Sequence, residues 1–131
     1  MEVCAMKQSE YIEAFLSFLR STEQEYTAAT DEEALADLRT QDLLHRLELY
    51  DDTYRETAKL GQLLRTVRKD RRTAKDTVEL SRPVSNWVSD NRAIVKSLER
   101  LLGEVRKVEA YQEKRLYIPK TDILDEVLKD G

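Results

Sequence analysis

Between Leu60 and Val78 the chain repeats a core position in alternating steps of four and three: Leu60, Leu64, Val67, Arg71, Ala74, Val78. That spacing keeps one narrow face in line along a helix and predicts a rod packed lengthwise on another helix. Tyr54 and Thr57 extend the stripe upstream, and Thr53 with Glu56 has the spacing of a capping box, in which each side chain serves the first turn. Pro83 predicts the end of the rod at Arg82, because the residue before a proline avoids the helical region. Thirty residues make a rod of about 43 Å, which needs a partner of similar length.

Downstream, Ile94, Leu98, Leu101, Val105 and Val108 repeat the four-three spacing, with Val95 and Leu102 widening the face. The intervening Arg82 to Asn91 is rich in turn formers and caps. A short connection between matched amphipathic rods predicts an antiparallel hairpin over 53–115, turning near Asn86. In that register Val78 faces Ile94, Ala74 faces Leu98, Arg71 faces Leu101 and Val67 faces Val105, with Trp87 plugging the end.

Before the hairpin, Ile12, Phe15, Leu19 and Tyr26 share one helical stripe, with Leu16 and Phe18 beside it. Thr30 with Glu33 is a second capping box, so a new helix is expected there, using Leu35, Leu38, Leu43, Leu44 and Leu47 as core positions. Asp51-Asp52 reads as a turn, or as a bend in one continuous helix. Leu116-Tyr117-Ile118-Pro119 predicts an extended strap laid along the bundle. Thr121 then caps a short helix bearing Ile123, Leu124, Val127 and Leu128 on one side. The expected architecture is all-α: a long, coiled-coil-like antiparallel helical hairpin packed with shorter N-terminal helices and a short C-terminal helix. It forms one helical domain over 1–131, divided into acidic N-terminal helices at 9–50, the hairpin at 53–115, and the strap and last helix at 116–131.

Composition agrees with long helices. The 131 residues include 3 glycines and 2 prolines, and 37% are charged. No apolar run approaches the ~20 residues that span a bilayer. The start lacks a basic region followed by an apolar stretch, so no secretory signal is expected. The single cysteine, Cys4, cannot form an internal disulfide. A cytoplasmic protein with no membrane partner is the expectation. The net charge of −4 conceals a strong asymmetry. Met1 to Thr57 carries 5 basic and 14 acidic residues, Ala58 to Lys120 carries 16 and 8, and Thr121 to Gly131 carries 1 and 4.

Catalytic patterns are missing: there is no glycine-rich phosphate loop, no G-x-S-x-G and no H-E-x-x-H. The lone histidine, His45, follows Asp42 by three residues, but zinc sites take three or four protein ligands. A di-iron bundle needs two Glu-x-x-His motifs, which one histidine cannot supply. No catalytic residue, metal site or cofactor is expected, and the chain reads as a non-enzyme.

The candidate binding residues are charged. Arg65, Arg68, Lys69, Arg72 and Lys75 line one flank of the seam by their three- and four-residue spacing. The hairpin register brings Arg106 and Lys107, with Arg100, to the same level. Such a flank could engage phosphates or carboxylates. Two acidic turns, Asp31-Glu32-Glu33 and Asp51-Asp52, could occupy a cationic groove on a partner. The competing readings are solvated faces, or mutual pairing of the acidic and basic regions.

The runs Arg39-Thr40-Gln41-Asp42-Leu43-Leu44-His45-Arg46-Leu47-Glu48-Leu49, Arg71-Arg72-x-x-Lys75, Glu104-Val105-Arg106-Lys107-Val108-Glu109 and Lys114-Arg115-Leu116-Tyr117-Ile118-Pro119 carry a resemblance. Over roughly 39–120 the chain resembles small uncharacterised helical proteins of Gram-positive phages and prophages. The resemblance implies a compact, non-enzymatic protein of the host cytoplasm that binds host machinery, as inhibitors of CRISPR nucleases and other defences do. The leading expectation is an interaction protein that obstructs a host protein, a nucleic-acid-handling defence effector. The alternatives are a direct nucleic-acid or nucleotide binder using the basic flank, and a structural coiled-coil assembly subunit, including a homodimer.

Overall fold

A computed structural model describes residues 5–129, so Cys4 lies outside the described residues. The chain runs through α1 (Gln8–Leu49), α2 (Tyr54–Asp90), α3 (Arg92–Lys114) and α4 (Ile123–Lys129), with no strand among the described residues. It is all-α and built on a long antiparallel hairpin, but the arms are not the expected ones. The 42-residue α1 pairs with the 37-residue α2, whereas α2 and α3 make almost no contact with each other. None of the four expected pairs between 67–78 and 94–105 can therefore form.

The reason lies in two ladders of small side chains. On α1, Thr22, Ala29, Ala36 and Leu43 are buried at intervals of seven; on α2, Val67, Ala74, Ser81 and Val88 are buried at the same interval. Ala36, Leu43 and Val67 form a core cluster with Leu60 and Leu64 packed against it. Extending that antiparallel register sets Ala29 level with Ala74 and Thr22 level with Ser81. Small residues facing each other let two backbones approach closely, and a seven-residue repeat keeps the contact line continuous along paired helices. Arg71 occupies one step of the α2 seam, held by Asp37 Oδ1 at 2.6 Å and Glu33 Oε1 at 3.5 Å on α1.

Two expected helix boundaries are crossed. The N-terminal helices are one, because Thr30 does not cap a new start; its hydroxyl donates to the Tyr26 carbonyl at 2.8 Å, a bond made inside a continuing helix. Asp31, Glu32 and Glu33 consequently lie within α1 and form no turn. Of the leucines expected in the core, Leu43 is buried and Leu47 half-buried, while Leu35, Leu38 and Leu44 are exposed. The true break between the arms is at residues 50–53. There Thr53 caps α2, its hydroxyl oxygen accepting from Glu56 N–H at 3.2 Å and its proton reaching Glu56 Oε1 at 2.9 Å. Pro83 does not end α2, which continues to Asp90. Burial of Val78, Ser81 and Val88 on both sides of the proline outweighs the lost backbone bond.

A single residue, Asn91, separates α2 from α3. Its backbone N–H donates to Val88 O at 3.2 Å and its side chain to Trp87 O at 2.8 Å, closing the carbonyl end of α2. Beyond it α3 docks on the N-terminal half of α1. Ion pairs follow in antiparallel order: Arg92 with Glu23, Glu99 with Arg20, Arg106 with Glu13 and Glu113 with Lys7. Leu102 is buried between the middle two, level with Leu16, the most deeply buried large side chain. Trp87 does not plug a hairpin end; it lies half-exposed beside Phe15, Phe18, Pro83 and Val84.

The strap is not laid on the bundle either. Leu116, Tyr117 and Ile118 are all exposed, and α4, beginning two residues past Thr121, approaches no other helix. No helix of the described residues is long and apolar enough to cross a membrane.

Candidate interaction surface on the second helix

The exposed back of α2 is decided by the seam on its front. With Val67, Arg71, Ala74 and Val78 committed to α1, a 100° advance per residue turns Arg65, Arg68, Lys69, Arg72 and Lys75 outward. All five are exposed, and none is ion-paired among the described residues. Among the described residues, Arg71 alone in the same run is neutralised. Arg65, Arg68, Lys69, Arg71, Arg72 and Thr73 line an open depression of about 570 Å³. Every lining residue belongs to α2, so it is the space between projecting guanidinium arms and not a cleft between helices. The flank spans about 15 Å along the axis, from Arg65 to Lys75. Asp76 and Glu79 follow it, and Gly61 precedes it by one turn.

The remaining candidate residues do not join this surface. Arg106 belongs to the far end of the molecule, where its guanidinium reaches Glu13 Oε2 at 3.2 Å, and Lys107 is exposed on the same helix. They were grouped with the flank only by a hairpin register that does not exist. Glu33 is drawn into the seam by Arg71. Glu32 lines a separate groove with Leu35, Arg39, Val67 and Asp70, on the opposite side of the α2 seam from the basic flank. Asp31 and Asp51 stay exposed. Asp52 is bound to Arg46 by two hydrogen bonds, of 2.6 and 3.0 Å, and the same guanidinium stacks 4.1 Å over the Tyr50 ring. Hydrogen bonding to Arg46 holds the Asp52 carboxyl below its ordinary range. The Asp51-Asp52 turn is thus half a structural clasp. His45 and Asp42 are both exposed on α1, and no three His, Cys, Asp or Glu side chains among the described residues converge as a metal site.

One polar contact went unforeseen. Lys7 precedes α1 without offering a side-chain cap, and Glu109 of α3 takes over that task by accepting from Ser9 N–H at 3.3 Å. A carboxylate against the open donors of a first turn also meets the positive end of the helix dipole. Bonding to the Ser9 hydroxyl, then to its N–H, lowers the Glu109 pKa from 4.5, with Lys7 and Arg106 assisting. The clue in the sequence is the position: continuing the α2 seam through Val88 gives 95, 98, 102, 105 and 109, so a charged residue falls where an apolar one is due.

A pH dependence follows with a definite sign. Glu109 and Asp52 have folded-state pKa values below their ordinary 4.5 and 3.8, so their stabilisation is complete above those values. It is lost as pH falls through the lower folded-state values. The melting temperature of the wild type is expected to fall below about pH 4.5, and Glu109→Gln to show a shallower acid limb in the same titration. Identical acid limbs would remove Glu109 as the cap.

Compared with family models, curated proteins and solved structures, the chain matches none.

Proposed function

We propose that this chain is a non-enzymatic, phage-type interaction protein that presents the outer flank of α2 to carboxylates of a host protein and obstructs that protein. The observation that carries the reading is the contrast within one run of cations. Arg71 is satisfied by Glu33 and Asp37, whereas Arg65, Arg68, Lys69, Arg72 and Lys75 face solvent with no carboxylate partner among the described residues. Four of these are spaced by three, four and three residues, so they form one row. Guanidinium groups bind carboxylates in bidentate fashion and lose less water than ammonium groups on burial, which suits an interface.

Surroundings favour a protein over a nucleic acid. A phosphate chain continuing beyond the 15 Å row would meet Asp76 and Glu79, and α1 beside it carries ten acidic residues against three basic. No aromatic side chain interleaves the arginines to stack a base. A compact acidic surface fits the row without those penalties. The backing of α2 by α1 holds the row straight, so the flank is preorganised before a partner arrives.

The double substitution Arg68→Glu/Arg72→Glu is expected to weaken partner binding at least tenfold, with the helical circular dichroism and its melting curve unchanged. Reversing two facing carboxylates on the partner should restore binding. Retained affinity in the double variant overturns the reading. Recovery of nuclease-sensitive nucleic acid instead of protein, lost at higher salt, would transfer the same flank to phosphate binding.

A further inference from the structure

Both phenylalanines and the sole tryptophan of the chain are placed at one surface and not in the core. Phe15, Phe18, Leu19, Pro83, Val84 and Trp87 line an open depression of about 270 Å³ between α1 and α2. The Phe15 and Phe18 rings stand 6.4 Å apart, tilted by 31°. The apolar surface continues in register beyond the depression. Tyr11, Phe15 and Phe18 follow i, i+4, i+7 on α1, and Leu80, Val84 and Trp87 follow the same spacing on α2. Tyr11 is 59% and Leu80 81% exposed. By the helical period, Leu16 and Arg20 on the α3 side of α1 lie about 160° around from Phe18, so the docking of α3 leaves this trough open. Its rim is acidic. Glu25 lies seven residues beyond Phe18, Asp76 four before Leu80 and Asp90 three beyond Trp87, each within about 60° of that neighbour around its helix. All three are exposed and without an ion pair among the described residues. Lys7, one turn before Tyr11, is neutralised by Glu113 at 3.2 Å. Lys75 and Arg82 lie about 140° around α2 from Leu80 and Trp87 respectively, turned away from the trough.

We propose that this trough receives a helix of a partner protein, one that carries apolar anchors on one face and lysine or arginine beside them. Two antiparallel helices frame a groove that a further helix fills, and anchors at i, i+4 and i+7 match the spacing of both stripes. From Tyr11 to Glu25 the trough runs about 21 Å, or four helical turns. Half-exposed aromatic side chains, tryptophan above all, are the residues on which such interfaces concentrate their energy. Charge sets the sign of the occupant. A cationic helix meets Glu25 and Asp76 at one end of the trough and Asp90 at the other, and its cations can also stack on the ring faces. Two copies placed trough to trough would set one acidic rim against another. The unpartnered α4 is a poor occupant for the same reason, since it carries Asp125 and Glu126 and follows Asp122. The site is separate from the basic row, because Trp87 lies twelve residues, about 18 Å, beyond Lys75 on α2.

Trp87 reports occupancy directly, because no other tryptophan contributes to the emission. The full chain is titrated with a synthetic amphipathic helix of leucine and lysine, its leucines at i, i+4, i+7 and i+11. Trp87 emission is expected to shift to shorter wavelength and to saturate in the micromolar range. Phe18→Ala and the pair Glu25→Lys/Asp76→Lys should each raise the dissociation constant about tenfold or more. All three positions are exposed, so circular dichroism should stay that of the wild type. The same peptide with glutamate for lysine should leave Trp87 unmoved, even where it engages the basic row. No shift, an equal response to the glutamate peptide, or a titration indifferent to Phe18→Ala overturns the proposal. Two further results overturn it by naming another occupant. A red shift on dilution without peptide would place a second copy in the trough, and a red shift on removing residues 116–131 would place the chain's own C-terminal segment there.

Discussion

Replacing Leu16 by alanine is expected to lower the unfolding free energy by about 2–5 kcal/mol, the range for truncating a buried leucine that its surroundings cannot close over. Leu16 is 1% exposed, in a molecule whose core is a narrow line. It lies midway between the Glu13–Arg106 and Arg20–Glu99 pairs, at the level of Leu102. There α1 receives the end of α2 on one side, through Leu19, Pro83 and Val84, and α3 on the other. Two interfaces therefore lose packing at once. Small domains hold about 5–15 kcal/mol in total, so the variant should lose a large fraction of its stability in a urea titration. Phe18→Ala is the control. The larger side chain is 51% exposed and should cost less than half as much. A Leu16→Ala midpoint within error of the wild type would mean that α3 is not docked where the ion pairs place it.

The second large effect has the opposite sign. Pro83 sits inside α2 with no N–H to offer the Glu79 carbonyl, and an interior proline costs about 3 kcal/mol relative to alanine. Two terms oppose its removal. Proline stiffens the unfolded chain, worth up to about 1 kcal/mol. Its ring also lines the apolar depression with Phe15, Phe18, Leu19, Val84 and Trp87, although it is largely exposed there. Pro83→Ala is therefore expected to stabilise the fold by about 1–2 kcal/mol and raise the melting temperature by roughly 4–8 °C. An unchanged or lower melting temperature would show that α2 needs the proline's fixed φ to deliver Val88 and Asn91 to the junction with α3.

The same proline shows where sequence reasoning stops. The rule that helices end before proline is local, and here it meets a non-local term, the burial of Val78, Ser81 and Val88 on α1. The α2 seam itself was legible, because Leu60, Leu64, Val67, Arg71, Ala74 and Val78 need only the 3.6-residue period. Its partner was not. α3 has the conspicuous apolar face, and apolarity identified it as the other arm. The true arm presents Thr22, Ala29, Ala36 and Thr40, side chains that pack closely but contribute little hydropathy. Charge followed the same division. The row on α2 depended on helical period alone and lies exposed on one helix, whereas adding Arg106 and Lys107 depended on a register and failed with it. Pairing between acidic and basic regions could be posed from the sequence but not answered: Arg71 and Asp52 are consumed internally, and the five outward cations have no ion pair among the described residues.

Glu109 and Ser9 are 100 residues apart in the chain, yet the carboxylate completes the first turn of α1. The opening turn is therefore the last to be secured. A chain emerging in order from the ribosome presents α1 first, but its leading amides wait until Glu109, 100 residues further on, has been made and α3 has docked. The α1–α2 hairpin can zip from residues 50–53 outward with only neighbouring segments present, and closure at the far end comes as a separate event. Exchange of the Ser9 amide is thus expected to report that closure, and the amides around Ala36 and Val67 are expected to exchange more slowly.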